Sequence, residues 1–224
     1  MTDMNLNWDW ASHLPVLKFF VNEYDIAFAV EHGTGIHSTP ILLQTTRNYI
    51  GYEENETFRN EMIADGLYSD HDVLKLEVPE GVEIATRYSD YTDKQKKELD
   101  KYYNHIHSEL NWSFGDVQGF RLLFIDGFLG TRNSFFNKMY DLFDIIIIHD
   151  TEPGSYENEY QYTFKSDKFK ELFNIYSVTT PVPYTSLMIR KYLLPIDFDI
   201  LRKYMNEYCD MLGWEYDQMD ILIH

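Results

Sequence analysis

The sequence contains little cysteine, no long apolar run and no targeting signal. Cys209 is its one cysteine, so an intrachain disulfide is impossible and a reducing, cytoplasmic location is favoured. Apolar runs such as residues 145–148 are far too short to span a bilayer. The first residues are neither basic nor followed by a long apolar run, and we therefore expect no signal peptide.

Basic residues are also scarce, which limits the partners that the chain can bind. Lys and Arg number 19 against 37 Asp and Glu, giving a formal net charge of -18. Because such a field repels phosphate backbones and anionic lipid surfaces, we expect neither a nucleic-acid partner nor a membrane partner. The sequence leaves open whether the chain forms a homo-oligomer.

The composition predicts one well-packed domain. Hydrophobic residues make up 44% of the 224 residues and aromatic residues 17%, which argues against a disordered chain. The length is typical of a single domain over residues 1–224. Residues 1–12 are mostly polar, with Trp8 and Trp10 among them, and form either a loose arm or a lid.

A glycine turn follows the first predicted strand. Residues 26–30 are apolar and predict a buried strand, Glu31 stands at its carboxyl end, and Gly33 and Gly35 come next. Glycines let the backbone turn sharply and approach a ligand that a Cβ would push away. The pattern is typical of a cradle for a nucleotide-type cofactor.

A helix start and an acidic residue complete this cradle. Ser38 or Thr39 is the predicted N-cap, with Pro40 at the first helical position. The free N–H groups of the helix start can face the polar end of a ligand. Ser38 replaces the third glycine of a dinucleotide fingerprint. Glu53 ends the next strand about twenty residues past the glycines, where an acid accepts hydrogen bonds from ribose hydroxyls.

Strands and helices alternate through the rest of the chain. We predict strands at 48–53, 120–126, 143–150, 175–178 and 185–190, and a third core strand at either 73–78 or 82–86. Helices are predicted at 13–22, 40–47, 56–64, 92–106, 134–142, 168–173 and 201–212. The alternation predicts an α/β fold, with a doubly wound, mostly parallel sheet and helices on both faces.

Four short motifs, in this order, resemble those of class I S-adenosylmethionine-dependent methyltransferases. Residues 31–42 fit the pattern E-x-G-x-G-x-x-S-T-P-x-L of one branch of that family. Residues 13–17, His-Leu-Pro-Val-Leu, resemble the segment that precedes it there. Residues 123–127 and 146–151 resemble the ends of the fourth and fifth strands. The resemblance implies a seven-stranded, Rossmann-like methyltransferase fold that binds S-adenosyl-L-methionine.

The resemblance also assigns the cofactor side of the site. The glycine turn and its surroundings would hold the amino-acid end of the cofactor, and Glu53 would bind its ribose. The implied cofactor-binding residues are Glu31, Gly33, Thr34, Gly35, Ser38, Thr39, Glu53 and Asp126.

The acceptor side would be formed at the carboxyl ends of the fourth and fifth strands, where ligands of parallel sheets bind. The implied catalytic residues are His149, Asp150 and Asp126. Either His149 acts as a general base, or Asp126 and Asp150 bind Mg²⁺ or Mn²⁺ that lowers the pKa of the acceptor hydroxyl. Thr151 stands where metal-dependent enzymes for small catechols have Asn.

Further residues are candidates for substrate binding. His13 either points into the site or caps the first helix. Arg132 either binds a carboxylate or phosphate of the substrate or pairs with a surface acid, and Tyr156 either stacks on a sugar ring or packs against the protein.

The function predicted first is methyl transfer to a hydroxyl of a sugar or glycan. An NAD(P)-dependent oxidoreductase is the second prediction. The sequence contains no Tyr-x-x-x-Lys pair, because the residue four positions after Tyr88 is Thr92 and the one four positions after Tyr176 is Thr180. A non-catalytic protein that retains the fold is the third.

Overall fold

An eight-stranded sheet organises the part of the chain that the computed structural model describes, which is residues 11–115, 117–153, 162–179, 183–193 and 196–224. The strands are β1 (Ile26–His32), β2 (Tyr49–Glu53), β3 (Val73–Lys75), β4 (Phe120–Ile125), β5 (Ile145–His149), β6 (Phe173–Thr179), β7 (Thr185–Arg190) and β8 (Asp220–Ile223). The helices are α1 (Leu14–Glu23), α2 (Ser38–Thr45), α3 (Glu56–Ala64), α4 (Asp93–Phe114), α5 (Arg132–Met139), α6 (Asp167–Leu172) and α7 (Phe198–Leu212).

The order of the strands is that of a doubly wound sheet. It runs β3-β2-β1-β4-β5-β7-β6-β8. The first five strands are parallel and follow the Rossmann order 3-2-1-4-5. β7 runs antiparallel between β5 and β6, and β8 adds an antiparallel edge strand. The predicted α/β, Rossmann-like fold is confirmed; the eighth strand was not predicted.

Both faces of the sheet are covered, which explains why the central strands are apolar throughout. In β5, Ile145 and Ile147 pack in a core that includes residues of α1 and α7. Ile146 and Ile148 pack in the opposite core, with residues of α4, α5 and α6. A strand buried on both faces needs an apolar side chain at every position, rather than the alternation of a half-exposed strand.

The structure decides one open alternative and corrects two predictions about individual elements. The third core strand is Val73–Lys75, and residues 82–86 form no strand but contain a turn at residues 84–85. Helix α4 continues eight residues beyond the predicted end at Ile106, to Phe114. The predicted N-cap of α2 is wrong, because α2 begins at Ser38 and His37 occupies the cap position. The hydroxyl groups of Ser38 and Thr39 bind Glu31 instead of the helix N-terminus.

Two predictions concern residues outside the described ranges. They are the arm or lid that contains Trp8 and Trp10, and the substrate-binding role of Tyr156. Among the helices in the described ranges, none has the length and apolarity needed to cross a bilayer.

Candidate functional site

A cavity of about 590 Å³ opens at the carboxyl ends of the parallel strands. It lies where the strand order reverses between β1 and β4, the position at which open α/β sheets bind ligands. Its volume is in the range typical of cofactor pockets. The lining includes Gly33 and Gly35 after β1, Glu53 at the end of β2, Asp126 after β4 and His149 at the end of β5. The strand ends bring these sequence-predicted residues together.

The loops after β1 and β4 meet at two glycines. Gly33 has φ +80°, a left-handed conformation that favours glycine. A Cβ on Gly33 would overlap the backbone of Gly127, and a Cβ on Gly127 would overlap His32 and Glu54. The two loops can approach this closely only because neither residue has a side chain.

Glu53 connects the end of β2 to the glycine turn. Its Oε2 accepts hydrogen bonds from the N–H and the hydroxyl of Thr34, both at 2.9 Å, and its Oε1 accepts from the N–H of Asn55 at 2.8 Å. Burial, together with the charge of Glu54, raises the pKa of Glu53 to about 7, although these hydrogen bonds oppose the rise. The carboxyl group therefore changes protonation near neutral pH.

The N–H groups of the glycine turn already have partners within the protein. Gly33 donates to the carbonyl of Tyr52, Thr34 donates to Glu53, and Gly35 donates to the Thr39 hydroxyl. These three groups therefore shape the turn, and a ligand can use them only by replacing an existing hydrogen bond.

Glu31 and Thr39 lie behind the cavity and do not line it. The Glu31 carboxylate is fully buried and accepts hydrogen bonds from three hydroxyls, those of Ser38 at 2.5 Å, Thr39 at 2.7 Å and Tyr49. Burial raises the pKa of Glu31 to about 7 despite these donors. Glu31 thus ties the end of β1 to the start of α2, while Ser38 lines the cavity.

Arg132, expected either to bind substrate or to pair with an acid, contacts the carboxylates of Asp126 and Asp150. Its Nη2 lies 2.9 Å from Asp126 Oδ1 and its Nη1 lies 2.7 Å from Asp150 Oδ2. Asp150 has φ 55°, unusual for a residue with a side chain, and the Arg132 contact accompanies this strained conformation. Since the guanidinium bridges both acids, Asp126 and Asp150 do not fit Mg²⁺ or Mn²⁺ between them without displacement of Arg132.

His149 is oriented by groups at both ring nitrogens. The Ser12 hydroxyl donates to the carbonyl of Pro183 at 2.8 Å and therefore accepts from His149 Nε2 at 3.2 Å. Nδ1 lies 3.1 Å from Asp126 Oδ1 and 3.5 Å from Asp150 Oδ1. Burial alone would lower the pKa of His149, but the two carboxylates outweigh it and raise the pKa. In this arrangement the imidazole carries a proton on each nitrogen.

His13 lines the same end of the cavity. Its side chain is 3% exposed and stands edge-on to the His149 ring, with 4.6 Å between the ring centroids. Neither nitrogen of His13 has a hydrogen-bond partner among the described residues. Burial, followed by the neighbouring charge of His149, lowers the pKa of His13 well below its usual value. His13 is therefore a neutral imidazole, and neither of its ring nitrogens is occupied by a hydrogen bond within the described residues.

A buried contact between His32 and Glu54, which was not predicted from the sequence, supports the cavity wall. His32 Nε2 lies 2.9 Å from Glu54 Oε1, which also accepts from the Thr131 hydroxyl and the Phe128 N–H. Burial opposes ionisation of Glu54, but His32 and these donors outweigh it and lower its pKa. The signal in the sequence is Glu54 directly after Glu53, because a second acid at a strand end needs a partner.

Apolar side chains form another wall of the cavity. They are Ile36, Phe58, Ile84, Phe128 and Leu129. Ile84 belongs to the segment that could have been the third strand, and its carbonyl accepts a hydrogen bond from Leu129. Ile84 thus places this segment at the rim of the cavity, a position that local sequence could not reveal.

Comparisons with known proteins assign neither a family nor an activity. No family model matches the sequence, and no curated protein matches it. A solved protein of the NADB-Rossmann superfamily from Streptococcus agalactiae is 10% identical, with a TM-score of 0.38, over 88% of this chain and 83% of that chain. The 23S rRNA methyltransferase ErmE is 11% identical, with a TM-score of 0.39, over 92% of this chain and 79% of its own.

Proposed function

We propose that the chain is an S-adenosylmethionine-dependent methyltransferase that acts on a hydroxyl of a small molecule or glycan. The observation that carries this proposal is one cavity at the β1/β4 switch point, with Glu53 beside the glycine turn and an Asp126–His149–Asp150 cluster across from them. The motifs at these strand ends are those that resemble the methyltransferase family.

The cofactor half of the cavity suits an adenosyl group. Glu53 uses both oxygens to hold the turn, yet a carboxylate has about four lone-pair positions, so it can still accept from ribose hydroxyls. The apolar wall that includes Phe58, Ile84 and Leu129 offers a surface for a planar base. When bound, the cofactor supplies a methyl group on a sulfonium, which leaves behind a neutral thioether.

The acceptor half must align a hydroxyl and accept its proton. Asp126, His149 and Asp150 form one hydrogen-bonded cluster, and Arg132 fixes both of its carboxylates. Because His149 already carries two protons in this arrangement, a carboxylate oxygen of Asp126 or Asp150 accepts the proton of the acceptor hydroxyl as its O–H bond breaks, and His149 keeps these carboxylates in position. Positioning of the hydroxyl supplies the remaining rate enhancement.

Ligand binding tests the proposal against the oxidoreductase alternative. We expect S-adenosylhomocysteine, but not NAD⁺ or NADP⁺, to bind at one site per chain and to raise the melting temperature. Isothermal titration calorimetry and thermal unfolding measure both effects. A response to NAD⁺ alone would replace the proposal by the oxidoreductase, and a response to none of these ligands would favour the non-catalytic protein.

Glu53 gives this binding a characteristic pH dependence. Ribose hydroxyls donate to the ionised carboxylate, so below pH 7 binding must release the proton that Glu53 holds. Affinity for S-adenosylhomocysteine should therefore fall as the pH decreases, by up to about tenfold per unit. Glu53→Gln should bind weakly and lose this slope, whereas Glu56→Gln, an exposed acid nearby, should keep it. An unchanged slope in Glu53→Gln would remove Glu53 from the cofactor site.

The acceptor cluster is tested by a substitution that preserves shape. Asp150→Asn weakens the ion pair with Arg132 and removes one negative charge from beside His149. We expect kcat for methyl transfer to fall by about 100-fold or more while S-adenosylhomocysteine affinity changes little. Equal kcat values for the variant and the wild type would exclude Asp150 from the mechanism.

A further inference from the structure

We propose that His13, Asp126 and His149 form a binding site for a divalent transition-metal ion at the acceptor end of the cavity. This site shares Asp126 with the Asp126–Asp150 pair, and Arg132 Nη2 also contacts Asp126 Oδ1 at 2.9 Å, but its other two ligands are histidines and the Arg132–Asp150 contact stays in place. The three residues come from the start of α1, the end of β4 and the end of β5, so the fold assembles them from distant parts of the chain.

The spacing of the side chains fits one ion. One ligand atom from each residue can be chosen so that all three lie within 4.8 Å of one another. His149 Nδ1 and Asp126 Oδ1 are 3.1 Å apart. Two ligands that each lie about 2.1 Å from one ion are separated by about 3.0 Å at right angles and by about 3.4 Å at the tetrahedral angle, and never by more than about 4.2 Å. His149 and Asp126 are already in this range, whereas the 4.8 Å span of the whole set requires His13 to move toward them when the ion binds.

The lack of hydrogen-bond partners at His13 supports the site independently of the side-chain spacing. It is almost fully buried, it lines the cavity, and both of its nitrogens are unpartnered among the described residues. Buried polar groups are normally hydrogen-bonded, and an exception needs an explanation. A neutral imidazole that faces a carboxylate and a second imidazole is explained by an ion that all three bind.

The surroundings of His149 are also those of a metal ligand. A ligating histidine usually donates its other N–H to a neighbouring acceptor, which fixes the orientation of the ring. His149 Nε2 has this arrangement, because Ser12 accepts from it and is itself held by the Pro183 carbonyl. The remaining nitrogen, Nδ1, is thereby directed at Asp126, and a metal ion takes the place of its proton.

The ligand types select the ion. Two imidazoles and one carboxylate suit Zn²⁺, Fe²⁺ or Co²⁺, whereas Mg²⁺ and Ca²⁺ prefer oxygen ligands alone. With neutral histidines, the charges of Asp126, Asp150 and Arg132 sum to one negative charge, which favours a cation. Metal binding does not depend on the proposed methyl transfer; only a role of the ion in activating an acceptor hydroxyl rests on it.

Cobalt provides a spectroscopic test with the full chain. Metal-free protein should bind one equivalent of Co²⁺ with visible absorption bands that report nitrogen ligation, and Zn²⁺ should displace it. His13→Ala should weaken Co²⁺ binding by at least about 100-fold, since loss of outer-shell partners alone costs about 10–100-fold. His37→Ala, the matched control at a cavity-lining histidine outside the proposed ligand set, should bind within about twofold of the wild type.

Three results of the metal-binding experiment would overturn the proposed site. Absence of stoichiometric Co²⁺ and Zn²⁺ binding, or equal affinity in the wild type and His13→Ala, overturns the site. Binding of Mg²⁺ that is insensitive to His13→Ala also overturns it in favour of an oxygen-ligand site. If His13→Ala unfolds without metal, His13→Gln replaces it, with the same expectation. S-adenosylhomocysteine titrations on the same samples separate failure of this site from failure of the proposed function.

Discussion

At the scale of single residues, Glu31 shows how a polar side chain can shape a site without touching a ligand. Three hydroxyls surround its buried carboxyl group and join β1, α2 and β2. Ser38 belongs to this cluster, and it stands where a dinucleotide fingerprint has its third glycine. The departure from that fingerprint therefore has a structural reason.

Glu31 should make the protein less stable as the pH rises. The folded state keeps the proton of Glu31 up to about pH 7, whereas the unfolded chain loses it near 4.5. The folded state thus binds more protons between these values, and the free energy of unfolding falls as the pH rises through them, by about 3 kcal/mol from this group. Glu31→Gln should lack this contribution, as measured by urea unfolding from pH 4.5 to 8.

The matched control for Glu31 is Glu61→Gln, which replaces an exposed acid on α3. Its pH dependence should follow that of the wild type. If Glu31→Gln and the wild type lose stability in parallel over the same range, Glu31 is ionised in the folded protein and its three hydroxyl donors outweigh burial.

At the scale of elements, the β1 and β4 loops act as one unit. They touch through Gly33 and Gly127, and the His32–Glu54 contact and Thr131 lie next to this junction. The two loops therefore form one continuous wall of the cavity.

Substitution of Gly33 tests this contact against a glycine of similar backbone geometry. Gly66→Ala, at φ +76° with no atom within 4 Å of the added Cβ, should cost about 1–2 kcal/mol of stability. Gly33→Ala, at φ +80°, adds overlap with Gly127 and should cost about 1–3 kcal/mol more. It should also weaken S-adenosylhomocysteine binding, as calorimetry measures. Equal losses in the two variants would show that the loops separate easily.

Elements were more predictable than contacts. Strand β5 and helix α3 follow from local patterns, because burial on two faces and the Asn55 cap leave clear signals. Pairing of Arg132 with an acid was one of two expectations from the sequence, but its partners Asp126 and Asp150 could not be predicted, since they depend on how α5 packs against the strand ends. For the same reason, local sequence could not decide between 73–78 and 82–86, or show that Ser38 binds Glu31.

At the scale of the whole molecule, the charge of -18 dominates. Even if every Lys and Arg paired with an acid, 18 of the 37 acids would remain. Self-repulsion of this kind destabilises the compact state and is screened by salt. Raising KCl from about 10 mM to about 200 mM should therefore increase the urea midpoint of unfolding. A decrease would mean that the ion pairs of the fold contribute more than the repulsion does.

The meeting of Gly33 and Gly127 also limits how the protein can be redesigned. Because the backbones touch at Gly33 and Gly127, neither position has a side chain that could be replaced to change the binding of one ligand without affecting the other. A directed-evolution library would gain little at this junction. Phe128 and Leu129 lie directly beside it and face the cavity, so randomising these two positions is the better route to altered selectivity.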